Sequence, residues 1–222
     1  MLFAAGFGTR MGALTADRPK PLIPVAGRAL IDHALELVEA AAVPHRVANL
    51  HYRAEMLAAH LAGRDVHLSI ETPDILETGG GLRHALPLMG KGPVYTLNTD
   101  AIWKGPNPLA LARQAWNPDR MDALLVCIPP GQAVGHGGAG DFTPDAEGRL
   151  IRGPGLIYGG AQIIKTTMLD QIPERVFSLN LLWDRMLATG RLFGLTYPGQ
   201  WCDVGHPEGI GMAEQMIGYR DV

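Results

Sequence analysis

Ala4-Ala5-Gly6-Phe7-Gly8-Thr9-Arg10-Met11, continued by Leu14-Thr15 and closed by Pro19-Lys20-Pro21-Leu22, is the stretch that decides the fold. A short apolar run from Leu2 ends in a glycine-rich turn. Arg10 follows at once, and Lys20, held between two prolines, comes ten residues later. Glycines let a backbone approach a ligand closely and turn its N–H groups inward. Arg and Lys add fixed positive charge. The stretch therefore predicts a phosphate cradle at the end of a buried strand. Gly6, Gly8 and Gly12 also fit a dinucleotide turn, but that motif needs a helix at once, and Pro19, Pro21 and Pro24 follow a long loop instead. A Walker loop is excluded, since no Gly-Lys-Ser/Thr follows the glycines.

The rest of the chain alternates. Helical spacing runs from Leu30 to about Ala42, strand-like residues from Arg46 to Leu50, a second helix face over Ala54–Leu61, and a strand over His67–Glu71. Leu76 to Gly81 opens a helix through Leu86, Val94–Asn98 is strand-like, Pro108–Trp116 helical, and Ala123–Ile128 a buried strand. This order predicts an α/β fold, a mostly parallel sheet with helices on both faces. Such sheets bind ligands beyond the carboxyl ends of their strands, where Gly6 and Asp100 both fall. After Ile128 the texture changes. A glycine-rich loop leads to a hairpin (142–143 with 150–151), a strand over Leu156–Ile164, a helix around Leu179–Leu187, strands at Leu192–Tyr197 and Trp201–Val204, and a last helix over Pro207–Ile217. This half is expected to be a mixed C-terminal elaboration that covers the sheet edge and holds a second substrate. The expected organisation is one domain over residues 1–222, with a half of about 1–128 that carries the phosphate cradle and a half of about 129–222 that takes the second substrate.

Composition narrows the partners. The 222 residues are 47% hydrophobic and 18% charged, a globular balance. A net charge of −3 argues against a general nucleic-acid binder. No run of ~18 apolar residues and no signal-like N-terminus occurs, so a cytoplasmic protein without a membrane partner is expected. Cys127 and Cys202 have no metal-type spacing and are expected to be small buried hydrophobes. The sequence names no protein partner.

Asp100, at the end of an apolar strand, has the position of a Mg²⁺ ligand, or else of a helix cap or solvated turn. Asp203 lies inside the apolar run Trp201–Val204, where a buried carboxylate needs a partner or a cation. Glu77-Thr78-Gly79-Gly80-Gly81 offers either a flat surface for a nucleobase or a helix start whose glycines serve packing. His33, His51, His60 and His84 lack ligand spacing and are expected to be structural. Gly135–Gly138 is either a mobile lid or an exposed loop.

The run A-A-G-F-G-T-R-M-G-A-L-T with P-K-P-L-I-P-V-A-G resembles the sugar-1-phosphate nucleotidyltransferases. L-E-T-G-G-G, the strand ending N-T-D, G-D-F at Gly140–Phe142, and W-C-D-V-G resemble most the N-acetylmuramate-1-phosphate uridylyltransferase branch, over Leu2 to about Ile217. The resemblance implies a Rossmann-like sheet of the nucleotide-diphospho-sugar transferase type. It implies a Mg²⁺-dependent enzyme that joins a nucleoside triphosphate and a sugar-1-phosphate and releases pyrophosphate, with UTP and N-acetylmuramate-1-phosphate as the expected pair and UDP-N-acetylmuramate as the product. Ala5, Gly6, Gly8, Thr9 and Arg10 would hold the triphosphate, and Lys20 would reach the α-phosphate and the incoming phosphate. Arg10, Lys20 and Asp100 would be catalytic. Asp100 and Asp203 would hold Mg²⁺, with Asp203 also beside the substrate. Glu77, Gly79 and Gly80 would surround the base; Asp141 and Gly160 would contact the sugar. Thr99 stands where family members commonly have glycine before the metal-binding Asp. Mannose-1-phosphate guanylyl transfer is the nearest rival activity, and a catalytically silent nucleotide-sugar sensor or an NAD(P)-dependent oxidoreductase are rivals of other classes.

Overall fold

The computed structural model describes residues 1–219. In chain order the strands of the first half are β1 (Leu2–Phe3), β2 (Pro24–Val25), β3 (Arg28–Ala29), β4 (Val47–Leu50), β5 (His67–Ile70), β6 (Val94–Asn98), β7 (Ala101–Lys104) and β8 (Ala123–Ile128). Its helices are α1 (Leu30–Ala40), α2 (Ala54–Leu61), α3 (Glu77–Ala85) and α4 (Pro108–Ala115). The second half adds β9 (Ala133–Val134), β10 (Phe142–Pro144), β11 (Leu150–Arg152), β12 (Ile157–Ile164), α5 (Asn180–Ala188), β13 (Leu192–Thr196), β14 (Gln200–Asp203) and α6 (Glu208–Ile217).

Local chemistry sets these bounds. α1 buries Leu30, Ile31, Ala34, Leu35 and Val38, a stripe at helical spacing. The Asn107 side chain accepts from the amides of Leu109 and Ala110, and Pro108 fills the first helical position, so α4 starts there. Gly218, at φ +77°, ends α6.

The main sheet has the order β13-β8-β12-β6-β1-β4-β5. Pairing is parallel at β13/β8, β6/β1, β1/β4 and β4/β5. β12 runs antiparallel to both of its neighbours, β6 and β8. The second half is therefore woven into the sheet rather than laid over its edge, because the apolar run 157–164 finds its partners between two strands of the first half. All six residues of β8 are buried. Val126 and Ile128 join one core with Leu2, Leu35 and Leu97, while Leu125 and Cys127 join the other with Leu82 and Leu182. This is the period-2 alternation of a strand covered on both faces.

A smaller sheet, β7-β14-β9, and the hairpins β2–β3 and β10–β11 complete the fold. Of these strands, the β10–β11 hairpin and β14 are expected from the sequence. β2, β3, β7 and β9 have two to four residues each. β7 is fixed by β14, a partner from the far end of the chain, so no local pattern announces it.

Both cysteines are free and buried. Burial pushes the Cys127 thiol up to about 12 and the Cys202 thiol to about 11. Neither thiol is expected to react with an aromatic disulfide reagent at pH 8 in the native protein, and both should react after denaturation. Rapid native labelling of one thiol would contradict this burial.

Candidate active site

Phe3 and Asn98 are opposite one another on parallel strands β1 and β6. The segments that follow them, Ala4 onward and Thr99-Asp100, therefore leave the sheet at one edge. A cavity of about 300 Å³ opens there. Ala5, Gly6, Gly8, Thr9, Arg10, Lys20, Glu77 and Asp100, all expected from the sequence, line it.

Gly8 has φ +65°, and a Cβ there would lie 2.8 Å from the Lys20 Cβ. Glycine is thus required twice at this position, for the backbone conformation and for the close approach of the lysine stem. Thr15 closes the loop by donating from its hydroxyl to the Gly8 and Gly12 carbonyls. Pro19 is extended, and Pro21 is the second residue of the tight turn Lys20–Leu22. Between them Lys20 is 8% exposed. Its Nζ donates to Asp100 Oδ2 at 2.8 Å, so the cation is aimed across the cavity rather than free to swing.

Asp203 reaches the same edge by register. In the antiparallel pair β7/β14 it lies opposite Ala101, and the Val204 amide donates to the Asp100 carbonyl. Burial and the charge of Asp100 push the Asp203 carboxyl above the ordinary carboxylate range, with Lys20, Arg10 and His136 pulling the other way. A Cβ on Gly205 would lie 2.9 Å from Asp203 Oδ2 and 3.0 Å from Arg10 Nη1, so Arg10 and Asp203 converge at this glycine. The Gly135–Gly138 loop packs here as well, since a Cβ on Gly135 would lie 2.9 Å from the Asp203 carbonyl. The Thr99 hydroxyl donates to the Phe3 carbonyl at 2.7 Å, tying the end of β6 to β1.

Beyond the cradle, a buried chain of polar groups supports the loop before α3. Glu71, 1% exposed, accepts from Asn49 Nδ2 and from the Leu76 amide, each at 2.7 Å. Asn49 Oδ1 in turn accepts from the Ala4 amide. Glu77, which lines the cavity, has φ +62°, a conformation rare for a side chain of its kind and held here by its surroundings. Gly79 and Gly80 are turned away from the cavity. Their amides donate to the Phe177 carbonyl, and a Cβ would lie 2.4 Å from the Phe177 ring or 2.5 Å from the Arg175 carbonyl. These two glycines admit the 175–177 segment, the packing alternative that the sequence leaves open.

A second cavity of about 270 Å³ shares Phe3, Thr78 and Asn98 with the first. Asp141 lines it and accepts from the Tyr158 amide at 2.8 Å. Gly160 sits at the irregularity in β12, with φ +86°. A Cβ there would lie 2.8 Å from the Asn98 Cβ, so Gly160 makes room for Asn98. Asn98 and Arg152, absent from the sequence-based candidates, line this second cavity together with Thr78, a member of the candidate stretch Glu77–Gly81. Asn98 had one signal, its place in the strand ending N-T-D; Arg152 had none. His33, His51, His60 and His84 each have a protein partner, respectively Val25, Glu71, Asp32 and Ser69.

A model of the MobA-like NTP transferase domain family matches residues 1–175. The N-acetylmuramate alpha-1-phosphate uridylyltransferase of Caulobacter vibrioides is 42% identical, over 98% of this chain and 96% of its own length. The enzyme of the same name from Neisseria meningitidis serogroup B is 32% identical, over 98% of this chain and 97% of its own. A crystal structure of a putative glucose-1-phosphate thymidylyltransferase from Bacillus anthracis, in complex with a sucrose, superposes with a TM-score of 0.80. It covers 100% of this chain and 95% of its own at 14% identity, which shows a shared fold. Among the described residues no helix is long and apolar enough to cross a membrane.

Proposed function

We propose that this chain, which belongs to the MobA-like NTP transferase domain family and is a sugar-1-phosphate nucleotidyltransferase, joins UTP to N-acetylmuramate α-1-phosphate, giving UDP-N-acetylmuramate and pyrophosphate. The base and sugar rest on the two uridylyltransferases that match almost end to end. The site observation that carries transfer over mere binding is Lys20, pinned 2.8 Å from Asp100 in a cavity that continues into a second one.

The chemistry asks for positioning and charge. An oxygen of the sugar phosphate attacks the α-phosphorus, a new P–O bond forms, and the α–β bridging bond breaks with its electrons on pyrophosphate. Backbone amides of Gly6 to Arg10 orient the triphosphate in the cradle. Lys20 holds the α-phosphate and the entering phosphate together and stabilises the charge spread over the equatorial oxygens. Glu77 faces the base side of the first cavity, and Asp141 and Asn98 face the sugar in the second.

Asp100 and Asp203 suit Mg²⁺. They are two hard oxygen donors crowded together, with the Asp203 proton affinity raised by burial and by its neighbour. When bound there, Mg²⁺ would neutralise charge on the phosphates. A substrate pool of nucleoside triphosphate is consistent with a cytoplasmic enzyme.

Incubation with Mg²⁺, each nucleoside triphosphate and a panel of sugar-1-phosphates should release pyrophosphate fastest with UTP and N-acetylmuramate α-1-phosphate. Turnover of GTP with mannose-1-phosphate alone would sink the muramate reading, and silence with every pair would point to a sensor. Asp203→Asn should raise the Mg²⁺ concentration needed for half-maximal rate while the thermal midpoint holds. Unfolding of that variant would make the carboxylate structural.

A further inference from the structure

We propose that Arg152 is the specificity-determining residue of the second cavity, and that it selects a sugar-1-phosphate bearing a carboxylate. The inference deepens the uridylyltransferase reading and rests on it. A sugar whose phosphate lies beside Lys20 extends past Asn98 and Thr78 into the second cavity, because these residues line both spaces. Arg152 is the one cationic side chain among the described residues lining that cavity. An arginine in a polar sugar site has no acceptor to offer hydroxyls; it offers a planar fork of donors that fits a carboxylate.

The fork is held, yet only part of it is used. Arg152 lies opposite Phe142 in the β10–β11 hairpin. Its guanidinium sits 5.0 Å from the Phe142 ring centroid and 5.9 Å from that of Trp183. Nε and Nη2 donate to Asp184 Oδ1 at 3.2 and 2.8 Å, and Nη2 also donates to Asn180 Oδ1 at 2.8 Å. Nη1 makes no hydrogen bond among the described residues. The Asp184 side chain is 56% exposed, and an ion pair at such a rim is worth little, so it orients the arginine without satisfying it. The Phe142 and Trp183 rings flank the guanidinium and hold it in place, while the side chain, 40% exposed, stays open to a ligand. Asp141, on the same cavity, has the opposite preference: its carboxylate accepts from hydroxyls and repels a substrate carboxylate. The cavity lining therefore holds an acceptor for hydroxyls, Asp141, and a cation for an acid, Arg152. N-acetylmuramate differs from N-acetylglucosamine by the lactyl ether whose carboxylate supplies that acid.

Three measurements with UTP test this. In the wild-type enzyme, converting the lactyl carboxylate of N-acetylmuramate α-1-phosphate to its carboxamide should lower kcat/KM by roughly 10- to 100-fold, mostly through KM, as loss of a charged hydrogen bond does. Arg152→Met, which keeps a long apolar stem beside the two rings, should shrink the preference for the carboxylate over N-acetylglucosamine-1-phosphate by a similar factor, and Arg152→Lys should recover part of it. In the variant, carboxylate and carboxamide substrates should then differ little, because the two losses share one cause. Equal wild-type rates for carboxylate and carboxamide would overturn the proposal while leaving uridylyl transfer intact, and need no variant to fold. An equal loss on both sugars in Arg152→Met would overturn it too, assigning Arg152 to general packing. A wild type that ignores N-acetylmuramate α-1-phosphate but accepts another sugar would bring down the functional reading itself, and this inference with it.

Discussion

Lys20→Ala is expected to slow the chemical step by roughly 10²–10³, the usual consequence of removing one donor aimed at developing charge. The size follows from placement. Lys20 is 8% exposed, its Nζ lies 2.8 Å from Asp100, and among the described residues no other lysine lines the cavity. The two flanking prolines set the backbone on either side, so the ammonium is positioned before substrate arrives and little reorganisation remains. Single-turnover quench with saturating UTP and Mg²⁺ isolates this step from product release. Lys20→Arg should not restore the rate, because the stem is pressed against Gly8 and a guanidinium cannot occupy the room of an ammonium. A near-normal single-turnover rate in Lys20→Ala would remove the residue from the reaction.

Glu71→Ala is expected to cost about 3 kcal/mol of stability, read as a lower urea midpoint with an unchanged slope. The carboxylate takes two bonds of 2.7 Å in a place that water does not reach. Its removal strands the Asn49 amide and the Leu76 N–H, and each buried orphan carries its own desolvation cost. Glu71→Gln should cost less, since its carbonyl still accepts one of the two bonds. A loss below about 1 kcal/mol in Glu71→Ala would mean that water enters and takes over both donors.

Glu71 also illustrates what a sequence conceals. The glycine-rich turn and its pinned lysine were legible because Gly8, Pro19, Lys20 and Pro21 are unusual residues in an unusual order, each with few structural alternatives. Strands such as Ala123–Ile128 were legible because continuous apolar runs have few other uses. Gly79 and Gly80 were ambiguous for a physical reason: a missing side chain serves a ligand and a neighbouring backbone equally, and the neighbour here, Phe177, is distant in sequence. The convergence of Asp203 on Asp100 depends on the β7–β14 register, and β7 gives no local sign of itself. Arg152 was invisible for the same reason. Its surroundings are two rings, one of them on α5, which no spacing rule brings to a hairpin.

The antiparallel strand β12 has a consequence for synthesis on the ribosome. Both sheet neighbours of β8, namely β12 and β13, are translated after it. Ala123–Ile128 therefore leaves the exit tunnel as an apolar, strand-prone hexapeptide with no native partner available. It waits, on the order of seconds at ordinary elongation rates, for Ile157–Ile164 to be made. During that interval it has the character of a sticky segment able to pair with other nascent chains. Slower translation between these two strands should raise the aggregated fraction, and general holdase chaperones should lower it, with no change in the stability of the finished enzyme.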